Sequence, residues 1–167
     1  MSTQDYISTT KETKVLIDGV EKLNFILVVS QWNKSITDNL YIGAESKLKE
    51  YGVTEITKWD VPGSFELIYG CDLAQQKNPS AVIAIGSVIR GQTAHFDHIC
   101  QGVTHGIKDL NLKGTVPVIF CVLTDDNIEQ ARERSGGKLG NKGSQAAMAA
   151  IEMAQLRIKE LNSNSSL

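Results

Sequence analysis

Three short runs that are apolar throughout constrain this chain more than any other feature: Phe25-Ile26-Leu27-Val28-Val29, Ala81-Val82-Ile83-Ala84-Ile85 and Val116-Pro117-Val118-Ile119-Phe120-Cys121-Val122-Leu123. A strand with one wet face alternates apolar and polar residues. A strand that is apolar at every position has to be covered on both faces, as in a parallel sheet between layers of helices. Pro117 is tolerable only near the start of its strand, because it has no N–H to give the ladder. Between the runs the period changes to that of a helix. Ile36, Leu40, Ala44 and Leu48 form one stripe over about 35–50, closed by Gly52. Phe96, Ile99, Cys100, Val103, Ile107 and Leu110 form another, on a helix from near Thr93 to about Asn111. Ala147, Ala150, Ile151, Ala154 and Ile158 give the last helix a close-packing face that ends near Glu160.

The remaining elements fit between these. Glu55 to Val61 is a more polar strand, suited to a sheet edge, and Pro62-Gly63 turns the chain into a helix from about Ser64 to Gln76. A short helix covers roughly Asn127 to Arg134. The expected fold is α/β, a three-layer sandwich around a mainly parallel four-stranded sheet in flavodoxin-like order, with right-handed crossovers. At 167 residues the chain fits one domain over about 15–160, with a flexible polar segment before it (1–14) and a frayed tail after it (161–167).

Composition excludes several classes. A net charge of −2 argues against a general nucleic-acid surface. The cysteines, Cys71, Cys100 and Cys121, are odd in number and isolated in apolar surroundings, which suits reduced, buried thiols in a cytoplasmic protein. No apolar stretch approaches membrane-spanning length, and the polar N-terminus lacks the apolar core of a signal peptide.

Open α/β sheets bind ligands beyond the carboxyl ends of their strands. That rule gathers four segments at one rim: Gln31-Trp32-Asn33, Pro62 to Glu66, Gly86 to His95, and whatever follows Leu123. Each candidate there has two readings. Trp32 is either a core-edge aromatic or a platform for stacking a heterocycle. Glu66 either complements a helix dipole or accepts from hydroxyls of a sugar or polyol. Arg90-Gly91-Gln92-Thr93 is a tight turn into a helix whose unpaired N–H groups and dipole favour an anion. His95 beside it is either a solvated first-turn histidine or a proton carrier next to a held phosphate. Arg132 and Arg134 either complement a helix C-terminus or, in one case, fork onto a phosphate. His95 and His98 lack a third ligand at a convincing spacing, so no metal is expected. The glycine fingerprint of dinucleotide binding and the serine nucleophile elbow are both missing.

Val61-Pro62-Gly63-Ser64-Phe65-Glu66-Leu67, Ile85-Gly86-Ser87-Val88-Ile89-Arg90-Gly91, Thr93-Ala94-His95-Phe96 and Gly140-Asn141-Lys142-Gly143 together resemble the signature segments of the 6,7-dimethyl-8-ribityllumazine synthases. The resemblance runs in register from about Asn24 to Lys159. It implies a cofactor-free transferase of riboflavin biosynthesis that condenses 5-amino-6-(D-ribitylamino)uracil with 3,4-dihydroxy-2-butanone 4-phosphate. By matching position it implies that Trp32, where many members have Phe, stacks on the pyrimidine. Ser64, Phe65 and Glu66 would hold the ring and ribityl chain, and Ser87, Val88 and Ile89 would back the pyrimidine. Gln92, where many members have a small residue, and Thr93 would form the phosphate loop, and His95 would transfer protons. Phe120, Arg134 on the phosphate and, less firmly, Lys142 would come from a neighbouring subunit. A non-catalytic flavin carrier on the same fold would be expected to lose His95 or Arg134, and both are present. An archaeal-type riboflavin synthase, the other alternative, explains the Val61–Glu66 and His95 segments less well.

The resemblance also implies a homo-oligomer with active sites between adjacent subunits of a pentamer. Gly102 and Gly106 are expected to let neighbouring helices approach closely. The loop Gly136 to Gly143 has the short form without insertion, which implies closure of twelve pentamers into a sixty-subunit icosahedral shell.

Overall fold

A computed structural model of the chain describes residues 19–164. The segment 1–14 lies outside them. After a single 3₁₀ turn at Val20–Lys22 come β1 (Asn24–Ser30), α1 (Lys34–Glu50), β2 (Glu55–Val61), α2 (Leu67–Gln75), β3 (Ala81–Ile89), α3 (His95–Lys113), β4 (Val118–Asp125) and α4 (Ile128–Arg134). A small hairpin, β5 (Ser135–Gly137) with β6 (Gly140–Asn141), leads into α5 (Lys142–Asn164). The four long strands form one parallel sheet in the order β2-β1-β3-β4. This is the expected three-layer α/β sandwich with the polar β2 at an edge.

Side chains alternate across a strand, so the apolar runs divide between two cores. Phe25, Leu27 and Val29 of β1 join Ile83 and Ile85 of β3 and Cys121 and Leu123 of β4 against α1 and α5. Ile26, Val28, Val82, Ala84, Val118 and Val122 face the other way, onto α2 and α3. The alanines of α5 fulfil their expected packing role: Ala147, Ala150 and Ala154 are fully buried against this first core. Cys71 and Cys121 are buried free thiols and Cys100 is half-buried. Burial pushes the Cys121 thiol up to about 12.

Five boundaries differ from expectation. Strand β3 continues through Gly86 and Ser87 to Ile89, pairing Gly86 with Val122 and Ile89 with Asp125. These residues lie beyond the apolar run, and β4 supplies the ladder that carries them. Strand β4 starts at Val118, one residue after Pro117, whose carbonyl still accepts from the Val82 N–H (2.9 Å). Helices α2 and α3 begin at Leu67 and His95, so Ser64–Glu66 and Thr93 lie in turns ahead of them. Helix α5 runs to Asn164, so residues 161–164 of the expected tail are helical. No Gly or Pro stops the helix there, and the Ser163 hydroxyl donates back to the Lys159 carbonyl (2.9 Å). No described helix is long and apolar enough to cross a membrane.

Gly102 and Gly106 also allow close approaches within the chain. A Cβ on Gly102 would lie 2.9 Å from Phe65 Cε2, and one on Gly106 2.5 Å from Ile68 Cδ1. These glycines seat the segment ahead of α2, and α2 itself, against α3.

Candidate active site

Strand ends determine where the candidate residues stand. The register pairs Ser30 of β1 with Val61 of β2, and the Gln31 N–H donates to the Val61 carbonyl (2.9 Å). The β1–α1 and β2–α2 turns therefore leave the sheet side by side. Asn33 turns the first of them in a left-handed conformation (φ 54°), and its Nδ2 donates to the Ser87 carbonyl (2.9 Å). One asparagine thus ties this turn to the end of β3. Its type was the only sequence signal for it, since asparagine tolerates positive φ better than most residues.

Trp32, Asn33, Pro62 to Glu66, Ser87 to Ile89, His95 and Ile99 line one cavity of about 410 Å³ beyond the carboxyl ends of β1, β2 and β3. All the candidates from Trp32 to His95 except Gln92 and Thr93 meet here. Trp32 is 73% exposed, which removes the core-edge reading and leaves a flat apolar wall open to the cavity. Phe65 is also exposed, with its ring seated against Gly102. Glu66 immediately precedes α2 and makes no capping hydrogen bond; its Oε2 lies beside Gly63. The hydroxyls of Ser64 and Ser87 are buried and without a hydrogen-bond partner among the described residues. Buried hydroxyls are seldom left so unless something else supplies the partner.

The turn 90–94 carries Gln92 and Thr93 at its exposed surface, and the His95 N–H donates to Thr93 Oγ1 at the long distance of 3.4 Å. Arg90 clamps this turn. Its N–H donates to the Asp125 carbonyl (2.9 Å), its Nε to Asp126 Oδ1 (2.9 Å), and its Nη1 pairs with Asp97 (3.2 Å). The guanidinium also lies over the Phe96 ring, 4.1 Å from its centre. The start of α3, and with it His95, is held from both sides.

Phe120 and Arg134 stand elsewhere. With Asp125, Lys142 and Gln145 they line a second cavity of about 420 Å³ between the β4 edge and α5, and the two linings share no residue. Phe120 is 42% exposed on that edge. The two arginines are now distinguishable. Arg132 makes an exposed pair with Glu129 (2.7 Å), whereas Arg134 enters the cavity and pairs with Asp125 Oδ1 (3.2 Å). Asp125 is 4% exposed, and its Oδ2 has no partner among the described residues. Burial pushes its carboxyl above its ordinary value, Arg134 opposes this, and Asp126 adds to it. Asp125 was missed in the sequence because Asp125-Asp126-Asn127 reads as a polar loop. No group of three or more His, Cys, Asp or Glu stands together as a metal site among the described residues.

Comparison with known proteins gives the family. The sequence profile of 6,7-dimethyl-8-ribityllumazine synthase matches residues 22–157. A 6,7-dimethyl-8-ribityllumazine synthase of Christiangramia forsetii is 57% identical over 148 residues, covering 86% of this chain and 88% of that protein. One from Flavobacterium johnsoniae is 54% identical over 147 residues (86% of this chain, 77% of that protein). One from Porphyromonas gingivalis is 54% identical over 133 residues (78% and 83%). A profile match over most of the chain, with relatives above half identity, identifies this protein as a member of the 6,7-dimethyl-8-ribityllumazine synthase family.

Proposed function

We propose that this chain performs its family's condensation at a site completed by two subunits, one contributing the Trp32–His95 cavity and the next contributing Phe120 and Arg134. The reaction joins 5-amino-6-(D-ribitylamino)uracil to 3,4-dihydroxy-2-butanone 4-phosphate. It gives 6,7-dimethyl-8-ribityllumazine, one inorganic phosphate and two waters, the penultimate step of riboflavin biosynthesis. The observation that carries the two-subunit reading is the separation of the halves. The cavity with an aromatic wall, orphaned hydroxyls and a histidine contains no arginine, and the cavity with the arginine contains no histidine.

In this reading Trp32 stacks on the pyrimidine, with Phe65, Val88 and Ile89 as its other apolar contacts. Ser64 and Ser87 offer their unpartnered hydroxyls to the ring, and Glu66 accepts from the ribityl chain. Gln92, Thr93 and the amides of their turn meet the phosphate together with Arg134. The ring amine attacks the ketone and loses water to give an imine. Loss of a proton then expels phosphate, and the enol left behind tautomerises. The ribityl-bearing nitrogen closes the ring with loss of the second water. His95, next to the phosphate turn, takes and returns these protons. Both substrates are already reactive, so most of the acceleration comes from holding them together in one orientation.

The assembly proposed is a pentamer, a closed ring of heterologous contacts. Exposed Trp32, Phe65 and Phe120 support it, since such aromatics are otherwise left in water. The short β5–β6 hairpin, free of insertion, supports twelve pentamers in a sixty-subunit shell. Three free thiols suit a cytoplasmic location. Incubating the protein with the two substrates should give the lumazine chromophore and phosphate in equal amounts, and neither product with folded protein would refute the assignment. Sedimentation in phosphate buffer should give a shell-sized particle. A pentamer at every concentration would remove the shell and leave the shared site intact.

A further inference from the structure

We infer that Asp125 is a positioning residue for the phosphate site, holding one nitrogen of Arg134 so that the opposite edge of the guanidinium faces the ligand. The inference rests on the placement of Arg134 at the phosphate. The Arg134 Nη1 makes both of the contacts seen, to Asp125 Oδ1 (3.2 Å) and to the Gln130 carbonyl (3.2 Å). A guanidinium carries five donors in a rigid plane. With Nη1 occupied, the Nε–Nη2 edge is the pair left for two parallel hydrogen bonds to a phosphate.

Stability does not account for Asp125. It is almost fully buried, and among the described residues one oxygen is orphaned and its single ionic partner is half-buried. A carboxylate in that setting loses more hydration than one partner returns. What it supplies is direction. Asp125 closes β4, and its carbonyl accepts from the Arg90 N–H of the 90–94 turn (2.9 Å), so its side chain starts from a clamped backbone. Arg134 sits at the last residue of a helix of only seven residues. The carboxylate links this short helix end to the sheet. Its negative charge works against a phosphate while its anchoring of the guanidinium works for one, and the two effects can be separated by substitution.

The experiment measures kcat and both KM values for Asp125→Ala, Asp125→Ser, Asp125→Asn, Arg134→Ala and the double variant Asp125→Ala/Arg134→Ala. Serine keeps a small polar group and a foldable core but lacks the reach to Arg134. Asparagine keeps an acceptor and drops the charge. The two truncations should raise the butanone phosphate KM about tenfold and leave the pyrimidine KM within about twofold. Asp125→Asn should bring the butanone phosphate KM back to within about threefold of the unmodified protein, and truncation should add nothing once Arg134 is gone. If both truncations leave that KM unchanged while Arg134→Ala raises it, the positioning role is overturned and the phosphate placement stands. If Arg134→Ala itself changes nothing, the placement fails and takes this inference with it. Equal rises in both KM values would mark a general structural lesion and also overturn it.

Discussion

Gly86→Ala tests how the strand end and the site are built into one another. An added Cβ would lie 2.8 Å from Ser64 Oγ, 2.9 Å from Leu67 Cδ1 and 3.3 Å from Val122 Cγ1. All three are tighter than ordinary contact, and they come from three different segments. Val122 is in the neighbouring strand, and Leu67 is fully buried at the start of α2. Ser64 yields either by turning its unpartnered hydroxyl away or by moving the turn that carries Phe65 and Glu66, and both responses alter the proposed pyrimidine contact. Overpacking of this kind costs about 1–3 kcal/mol, and alanine recovers about 0.5–1 kcal/mol by restricting the unfolded chain. The net loss of roughly 1–2 kcal/mol lowers the unfolding midpoint by about 2–8 °C in a domain of this size. Because the strain is passed to the turn 64–66, the pyrimidine KM should rise more than the butanone phosphate KM. Thermal unfolding followed by circular dichroism, with steady-state kinetics on the same preparation, reads both. An unchanged midpoint with unchanged kinetics would show that the close approach at Gly86 has no part in positioning the turn.

Three other outcomes follow from the same structure. His95→Ala should keep the fold and lower kcat about 10²-fold without abolishing turnover, because positioning survives the loss of one proton carrier; a rate unchanged across the pH range would remove His95 from the mechanism. Gly102→Ala should hold or raise stability by up to about 1 kcal/mol through helix propensity, yet raise the pyrimidine KM by displacing the Phe65 ring, whose Cε2 would lie 2.9 Å from the added Cβ; unchanged binding would detach Phe65 from the site. Asp125→Asn should unfold at or above the midpoint of the unmodified protein at pH 7. The raised folded-state value of Asp125 favours folding below its unfolded value of about 3.9, and that contribution is lost as pH rises through the folded value. The advantage of asparagine should therefore shrink as pH falls toward about 4, and a large loss of stability at pH 7 would contradict burial as the dominant cause.

The layered fold was legible because the apolar runs obey one rule at every position. Phe25 to Val29 and Ala81 to Ile85 could be satisfied only by two covered faces, and they divide between two cores residue by residue. The β3 end was not legible. Gly86 and Ser87 lie beyond the apolar run, and the register with Val122 and Leu123 keeps them in the sheet. The rim rule brought Trp32, Glu66 and His95 to the same side of the sheet, and their chemistry was readable once they shared a cavity. Asp125 was hidden for the opposite reason. A short acidic run reads as solvated, and nothing local says that the chain turns this one carboxylate inward to Arg134. Gly102 and Gly106 meet Phe65 and Ile68 of the same chain, contacts that spacing along a helix cannot specify.

Whether one working site needs two chains is decided by mixing subunits. His95→Ala and Arg134→Ala subunits, each impaired alone, are unfolded or dissociated together in equal amounts and reassembled. If the histidine half and the arginine half come from adjacent subunits, about a quarter of the interfaces in a randomly mixed ring pair an intact His95 with an intact Arg134. Activity per subunit, measured as kcat/KM, should recover toward that fraction of the unmodified protein. If both residues serve a site within one chain, every site in the mixture keeps one defect. Activity would then remain at the average of the two variants, contradicting the shared site.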